Sequence, residues 1–295
     1  MSQDNNQTYG GQAVIEGVMI RGKTSVSVAV RNPYGNIETR TKSISPIFSG
    51  QLRKTPFIRG ILALAETLYI GMDALNYSSS VANKTEHANE INPSNRVTMS
   101  LMLVLSISIS IGLFFLTPLF ISKPFEGVLG SNIASNIIEG FVRLGIFMIY
   151  IVGIGFMSDI KRVYMYHGAE HMTVHAQENK MPLDISHIKK YPTAHPRCGT
   201  AFLLTVMLVA IFIFMFIPRD PLWFVIVSRI ILVPIIASIS YELIRINGKY
   251  PNNLIIRLTS QPSLWLQGLT TKQPTEDQIE VAIAAMNAAI KSDIT

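Results

Sequence analysis

His167-Gly168-Ala169-Glu170-His171 puts two imidazoles and a carboxylate within one short run of the chain. On a helix, His167 and His171 stand at i and i+4 and Glu170 shares their face. Two imidazoles so placed suit a divalent cation. The carboxylate beside them suits the proton of a water that the cation polarises. The same H-x-x-E-H order is the inverzincin pattern.

More donors follow. Five of the six histidines fall between Tyr166 and Pro196, and His195-Pro196-Arg197-Cys198 brings in the chain's one cysteine. The two motifs, at opposite ends of one segment, together offer His167, His171, His195 and Cys198 as ligands. Imidazole and thiolate favour zinc over magnesium or calcium. All four would close a structural shell. Catalysis needs an open position, so one of them would then give way to water, with Glu170 as general base. His175 lies one more turn along and is a candidate third ligand. Glu178 is a candidate carboxylate ligand or outer partner. His87 and His187 read as surface histidines.

These donors need elements to hold them, and composition says which kind. The chain has 295 residues, 48% hydrophobic and only 15% charged, with a mean hydropathy of +0.33. Soluble domains carry about 25% charge. The excess is clustered in four apolar segments, near Met99–Ile121, Ile137–Met157, Thr200–Ile217 and Trp223–Leu243. Each is near the ~20 residues that cross a hydrocarbon core. The net charge of +6 does not form basic stripes with interleaved aromatics, so nucleic acid is not an expected partner. Lys and Arg instead flank the apolar segments. Lys161, Arg162, Lys180, Lys189, Lys190 and Arg197 follow the second of them, whereas Lys123 and Arg219 stand alone in their loops. The positive-inside rule then places the His-rich loop 158–199 and both termini in the cytoplasm. One cysteine allows no internal disulfide, and the polar start Met1–Gln7 carries no signal-peptide pattern.

Around this membrane domain, 98–245, three further units are expected. Residues 1–54 are β-rich: Ser25–Arg31 alternates Val26, Val28 and Val30, Asn32-Pro33-Tyr34-Gly35-Asn36 is a turn, and Ile37–Lys42 returns. Residues 55–97 hold a helix from Thr55 to Ala82, capped by Thr55 with Pro56 at its first position, then a polar linker, Ala82–Arg96. Residues 246–295 end in an amphipathic helix opened by a capping box at Thr275–Gln278. Glu16 and Arg21 read as a buried pair in a Gly-rich stretch. Arg229, inside the fourth segment, suits Glu139 as partner, and Glu242 is close enough to the boundary to reach the interface.

Several blocks resemble the YqhQ-like family of bacterial membrane proteins (domain of unknown function 1385), a group regarded as metal-dependent enzymes. They are Gly10–Met19, His167–His171, His195–Thr200, Ser240–Arg245, Leu264–Gln267 and Leu269–Thr271. The resemblance implies a bacterial inner-membrane setting and the site His167, Glu170, His171, His195 and Cys198. It implies a weaker role for His175, and no substrate.

The expected protein is mainly α, polytopic, with about four transmembrane helices and a small N-terminal β-containing cytoplasmic unit. Its expected function is that of a zinc-dependent hydrolase at the cytoplasmic face, in contact with membrane lipid. The alternative is a scaffold, assembly factor or transporter with a structural metal. Protein partners stay unassigned, with a homo-oligomer left open.

Overall fold

The computed structural model describes residues 9–45, 55–83, 93–196, 198–249 and 253–294. Most of the expected linker, His87 and Arg197 lie outside the described residues. Four strands, β1 (Gly10–Val14), β2 (Gly17–Arg21), β3 (Ser25–Arg31) and β4 (Ile37–Ser43), form an antiparallel meander in that order. The β1–β2 hairpin turns at Glu16, whose φ of 50° lies in the left-handed region.

The helices are α1 (Ile58–Ala82), α2 (Pro93–Ile111), α3 (Thr117–Ser122), α4 (Glu126–Leu129), α5 (Asn132–Ile154) and α6 (Ser158–Glu178). They continue as α7 (Ile185–Ile188), α8 (Gly199–Phe214), α9 (Leu222–Lys249), α10 (Leu254–Thr270) and α11 (Glu276–Ile294). The chain enters α1 through Phe57, at φ 66°, and no side chain caps the helix. Thr55 is therefore not the N-cap that its sequence position suggested.

Alternation in β3 would leave one face wet, yet both faces are buried. Val26, Val28 and Val30 pack on Ala74, Tyr77 and Val81 of α1. Ala29, with Val18 and Ile20 of β2, packs on the other side against α6 and α11. The sheet is thus the middle layer of three. The tail helix α11 belongs to this core, with Ile279, Ala282 and Met286 fully buried. Half of the expected capping box forms, Thr275 N–H donating to Gln278 Oε1 at 3.0 Å. Gly168 lets the chain cross α6 closely: a Cβ there would lie 2.2 Å from the Lys272 carbonyl oxygen.

Among the described residues, three helical stretches are long and apolar enough to cross a membrane: Ser100–Val128, Asn132–Ile154 and Leu222–Asn247. The fourth expected segment forms the apolar helix α8, which is shorter. The first stretch contains a π-helical turn, Gly112–Leu116. Its Phe114 carbonyl accepts from Arg143 Nε at 2.9 Å.

Glu139, 1% exposed, gathers three guanidinium groups. Arg143 lies at 2.6 Å, Arg219 at 2.8 Å and Arg229 at 2.9 Å. The Glu139–Arg229 pair anticipated from sequence forms inside this larger cluster. Arg219 also meets Glu126 at 2.6 Å, and Arg143 and Arg229 stack on the Phe214 ring. Glu16 and Arg21 do not pair with each other. Glu16 binds Arg162 of α6, and Arg21 binds Glu66 of α1 at 2.8 Å. Glu16 sits in the β1–β2 turn and Arg21 at the far end of β2, so each reaches a different helix. Glu242 pairs with Arg59, tying α9 to α1.

Candidate metal centre

α6 carries His167, Glu170, His171, His175 and Glu178, and Thr193, Ala194, His195 and Cys198 lie beside it. His167 Nδ1 lies 2.9 Å from the Thr270 carbonyl oxygen, and His171 Nδ1 lies 2.6 Å from that of Thr193. A carbonyl cannot donate, so each Nδ1 carries the hydrogen, and in the neutral ring each Nε2 presents a lone pair. His167 Nε2 faces Cys198 Sγ at 3.2 Å, and His171 Nε2 lies 3.5 Å from Glu170 Oε2. One donor atom each from His167, His171 and Cys198 fall within 4.8 Å of one another. In a tetrahedral zinc site, bond lengths near 2.3 and 2.0 Å put sulfur and nitrogen about 3.5 Å apart.

Lone pairs facing one another are costly unless a proton or a cation lies among them. Burial opposes the proton: it holds the His171 imidazole below its ordinary 6.5, although the Cys198 sulfur pulls the other way. The donor set therefore fits a soft divalent cation. Carbonyls holding the far ring nitrogens are the usual way of fixing such ligands. Cys198 is the N-cap of α8 and its sulfur accepts from Thr200 N–H at 3.4 Å. The helix start favours negative charge at that position.

The four ligands expected from sequence do not form one shell. His195 lies with His175 and Glu178 in a second group, its Nε2 3.3 Å from Glu178 Oε2. The reason is backbone placement. Gln267 clamps His195 by accepting its N–H at 2.8 Å and donating to its carbonyl at 3.0 Å. This turns the ring toward His175, with centroids 4.4 Å apart, against 5.7 Å to His171. His175 and Glu178 thus join the site more firmly than the sequence implied. His187 pairs with Asp184 near the surface.

Glu170 is 4% exposed. Burial pushes its carboxyl above the ordinary carboxylate range, against the pull of the His167 and His195 rings and the Gly11 N–H. A cavity of about 260 Å³ opens beside it, lined in part by Tyr9, Gln12, Arg21, Glu66, His171 and His195. The motif residues gave no hint of Gln267, or of the carbonyls of Thr193 and Thr270. Gln267 and Thr270 do fall in blocks that carry the family resemblance. Gly11 acts through its missing side chain: a Cβ there would lie 2.6 Å from Glu170 Cγ and 2.6 Å from the Met19 carbonyl. Gly11→Ala should displace the Glu170 carboxylate and strain the β1–β2 pair at Met19, while the candidate ligands His167, His171 and Cys198 are not among its nearest contacts. A shift of about 1 Å costs about 10²-fold in rate. For the metal-dependent enzyme expected from the sequence, the variant should keep its metal content and lose about that much turnover, and full turnover would show that Glu170 is not its base.

The family model described as "Protein of unknown function (DUF1385)" matches residues 55–292. The "Uncharacterized protein YqhQ" of Bacillus subtilis (strain 168) is 34% identical over 294 residues, spanning 96% of this chain and 92% of the relative. No solved structure matches the chain. The blocks that suggested the resemblance are matched by similarity along nearly the whole sequence, and the chain belongs to the DUF1385, YqhQ-like family.

Proposed function

We propose that this protein is a metal-dependent hydrolase of the bacterial cell membrane, with its site at the cytoplasmic face. The observation that carries the reading is the convergence of two tautomer-fixed imidazoles and a cysteine sulfur beside a buried carboxylate, at the wall of a cavity. His167, His171 and Cys198 would hold the cation, with zinc the best match to that donor set. A bound zinc would supply Lewis acidity and a polarised water. Glu170 would take that water's proton, and its raised affinity for a proton suits this work near neutral pH. Gly11 N–H fixes the carboxylate, and the buried surround keeps bulk water away from it.

The membrane setting is supported by the three long apolar helices. We extend it to four spans: α8 with the turn up to Ile217 makes 19 residues, about 28 Å of helix. Cys198 stands at one end of that span and Arg219 just past the other. The basic segment 158–199 and both termini then lie in the cytoplasm.

Cys198→Ser tests the reading in full-length protein purified in detergent. Zinc affinity should fall by at least about 10–100-fold, the loss that even outer partners of ligands cause. Unchanged zinc affinity would overturn the assignment. Zinc loss with unfolding, and no hydrolysis by wild type of any ester, peptide or phosphoester offered, would favour a structural metal instead.

A further inference from the structure

We propose that His175, Glu178 and His195 form a second divalent-cation site beside the first. The proposal deepens the hydrolase reading and rests on the same α6 face. One donor atom from each residue falls within 4.8 Å of the others. His175 Nε2 lies 2.9 Å from the Ala194 carbonyl oxygen, so it carries the hydrogen and leaves Nδ1 as a lone pair. The ring stacks on Tyr191 at an interplanar angle of 8°, which fixes its plane. His195 is held through its backbone by both ends of the Gln267 amide. Its Nε2 meets the Glu178 carboxylate at 3.3 Å. Two positioned imidazoles and a carboxylate are the ligand set of many zinc enzymes.

The donors also differ usefully between the two sites. The first has a cysteine sulfur, and the second has an oxygen in its place. Oxygen is the harder ligand, so the second site accepts manganese or iron more readily than the first. Both sites meet the same cavity, the first through His171 and Cys198 and the second through His195. Glu170 lines that cavity too, with its Oε2 3.5 Å from His171 Nε2. A cation at each site would let one substrate be held at the second while a water is activated at the first.

Metal content and cobalt absorption test this on the full chain in detergent, stripped with chelator and reloaded. Wild type should bind about two zinc ions per chain. Glu178→Gln and His175→Asn should each bind about one and keep the thiolate-to-cobalt charge-transfer band. Cys198→Ser should lose that band and still bind about one. Glu178 is partly exposed at the end of α6, so its substitution leaves the fold intact. A single ion in wild type that depends on Cys198 but not on Glu178 would overturn the second site and leave the first. A single ion lost on both Cys198→Ser and His195→Asn would return His195 to the first shell and overturn it too. No bound ion at all would overturn both proposals.

Discussion

Glu170→Gln is expected to lower turnover by about 10²–10⁴-fold, the usual worth of a positioned general base, while zinc content stays at the wild-type level. Gln keeps the volume and still accepts from Gly11 N–H, but it cannot take a proton. The variant has a second expected effect. In the metal-free fold, burial holds the Glu170 carboxyl above its ordinary 4.5. The folded state therefore binds that proton more tightly than the unfolded chain does. Stability from this group is present below 4.5 and is lost as pH rises through the higher folded value. Gln has no such loss, so the stripped variant should melt higher than stripped wild type at neutral pH. Wild-type turnover in Glu170→Gln would remove the base. A lower melting point would show that the carboxylate contributes to the fold as well.

The second large effect lies at the far end of the helices. Glu139→Leu is expected to cost about 3–5 kcal/mol, because it strands buried cations without their counter-charge. Arg143, Arg219 and Arg229 are each at most 4% exposed, and all three use this one carboxylate. Glu126, whose side chain is a third exposed, meets only Arg219. Glu126→Gln should therefore cost about 1 kcal/mol or less, as solvated ion pairs do. Thermal unfolding in detergent separates the two. Equal, small changes for both substitutions would mean that the arginines are neutralised by something other than Glu139.

Legibility differed by element. The helix bearing His167 and His171 was readable because its candidate ligands recur at one helical spacing, so its own geometry brings them together. The β3–β4 hairpin was readable from three alternating valines and a turn, and α11 from its apolar period and Gln278. His195 was legible as a candidate ligand, but its grouping with His175 and Glu178 was not. That assignment rests on Gln267, 72 residues away, and no local pattern encodes a contact of that span. The same holds for Arg21, which met Glu66 on α1 in place of nearby Glu16. The long apolar helices were plain from composition. The length of α8 was not, because apolarity continues past the last regular turn at Phe214. Gly11 reads in the sequence as one glycine of a Gly-rich stretch and family block. Its value lies in a contact between β1 and Glu170 that appears only once the sheet meets α6.

Asp293 of α11 accepts from the N–H groups of Lys23 and Thr24 at 2.9 and 3.0 Å. This clasp has a temporal meaning for biosynthesis. The ribosome delivers the β-strands first and α11 last, so every apolar helix has emerged before the sheet gains its cover. Until then Val18, Ile20 and Ala29 have the α6 side of their cover and lack the α11 side. The layer that holds the candidate site is thus completed only after all the long apolar helices have been made.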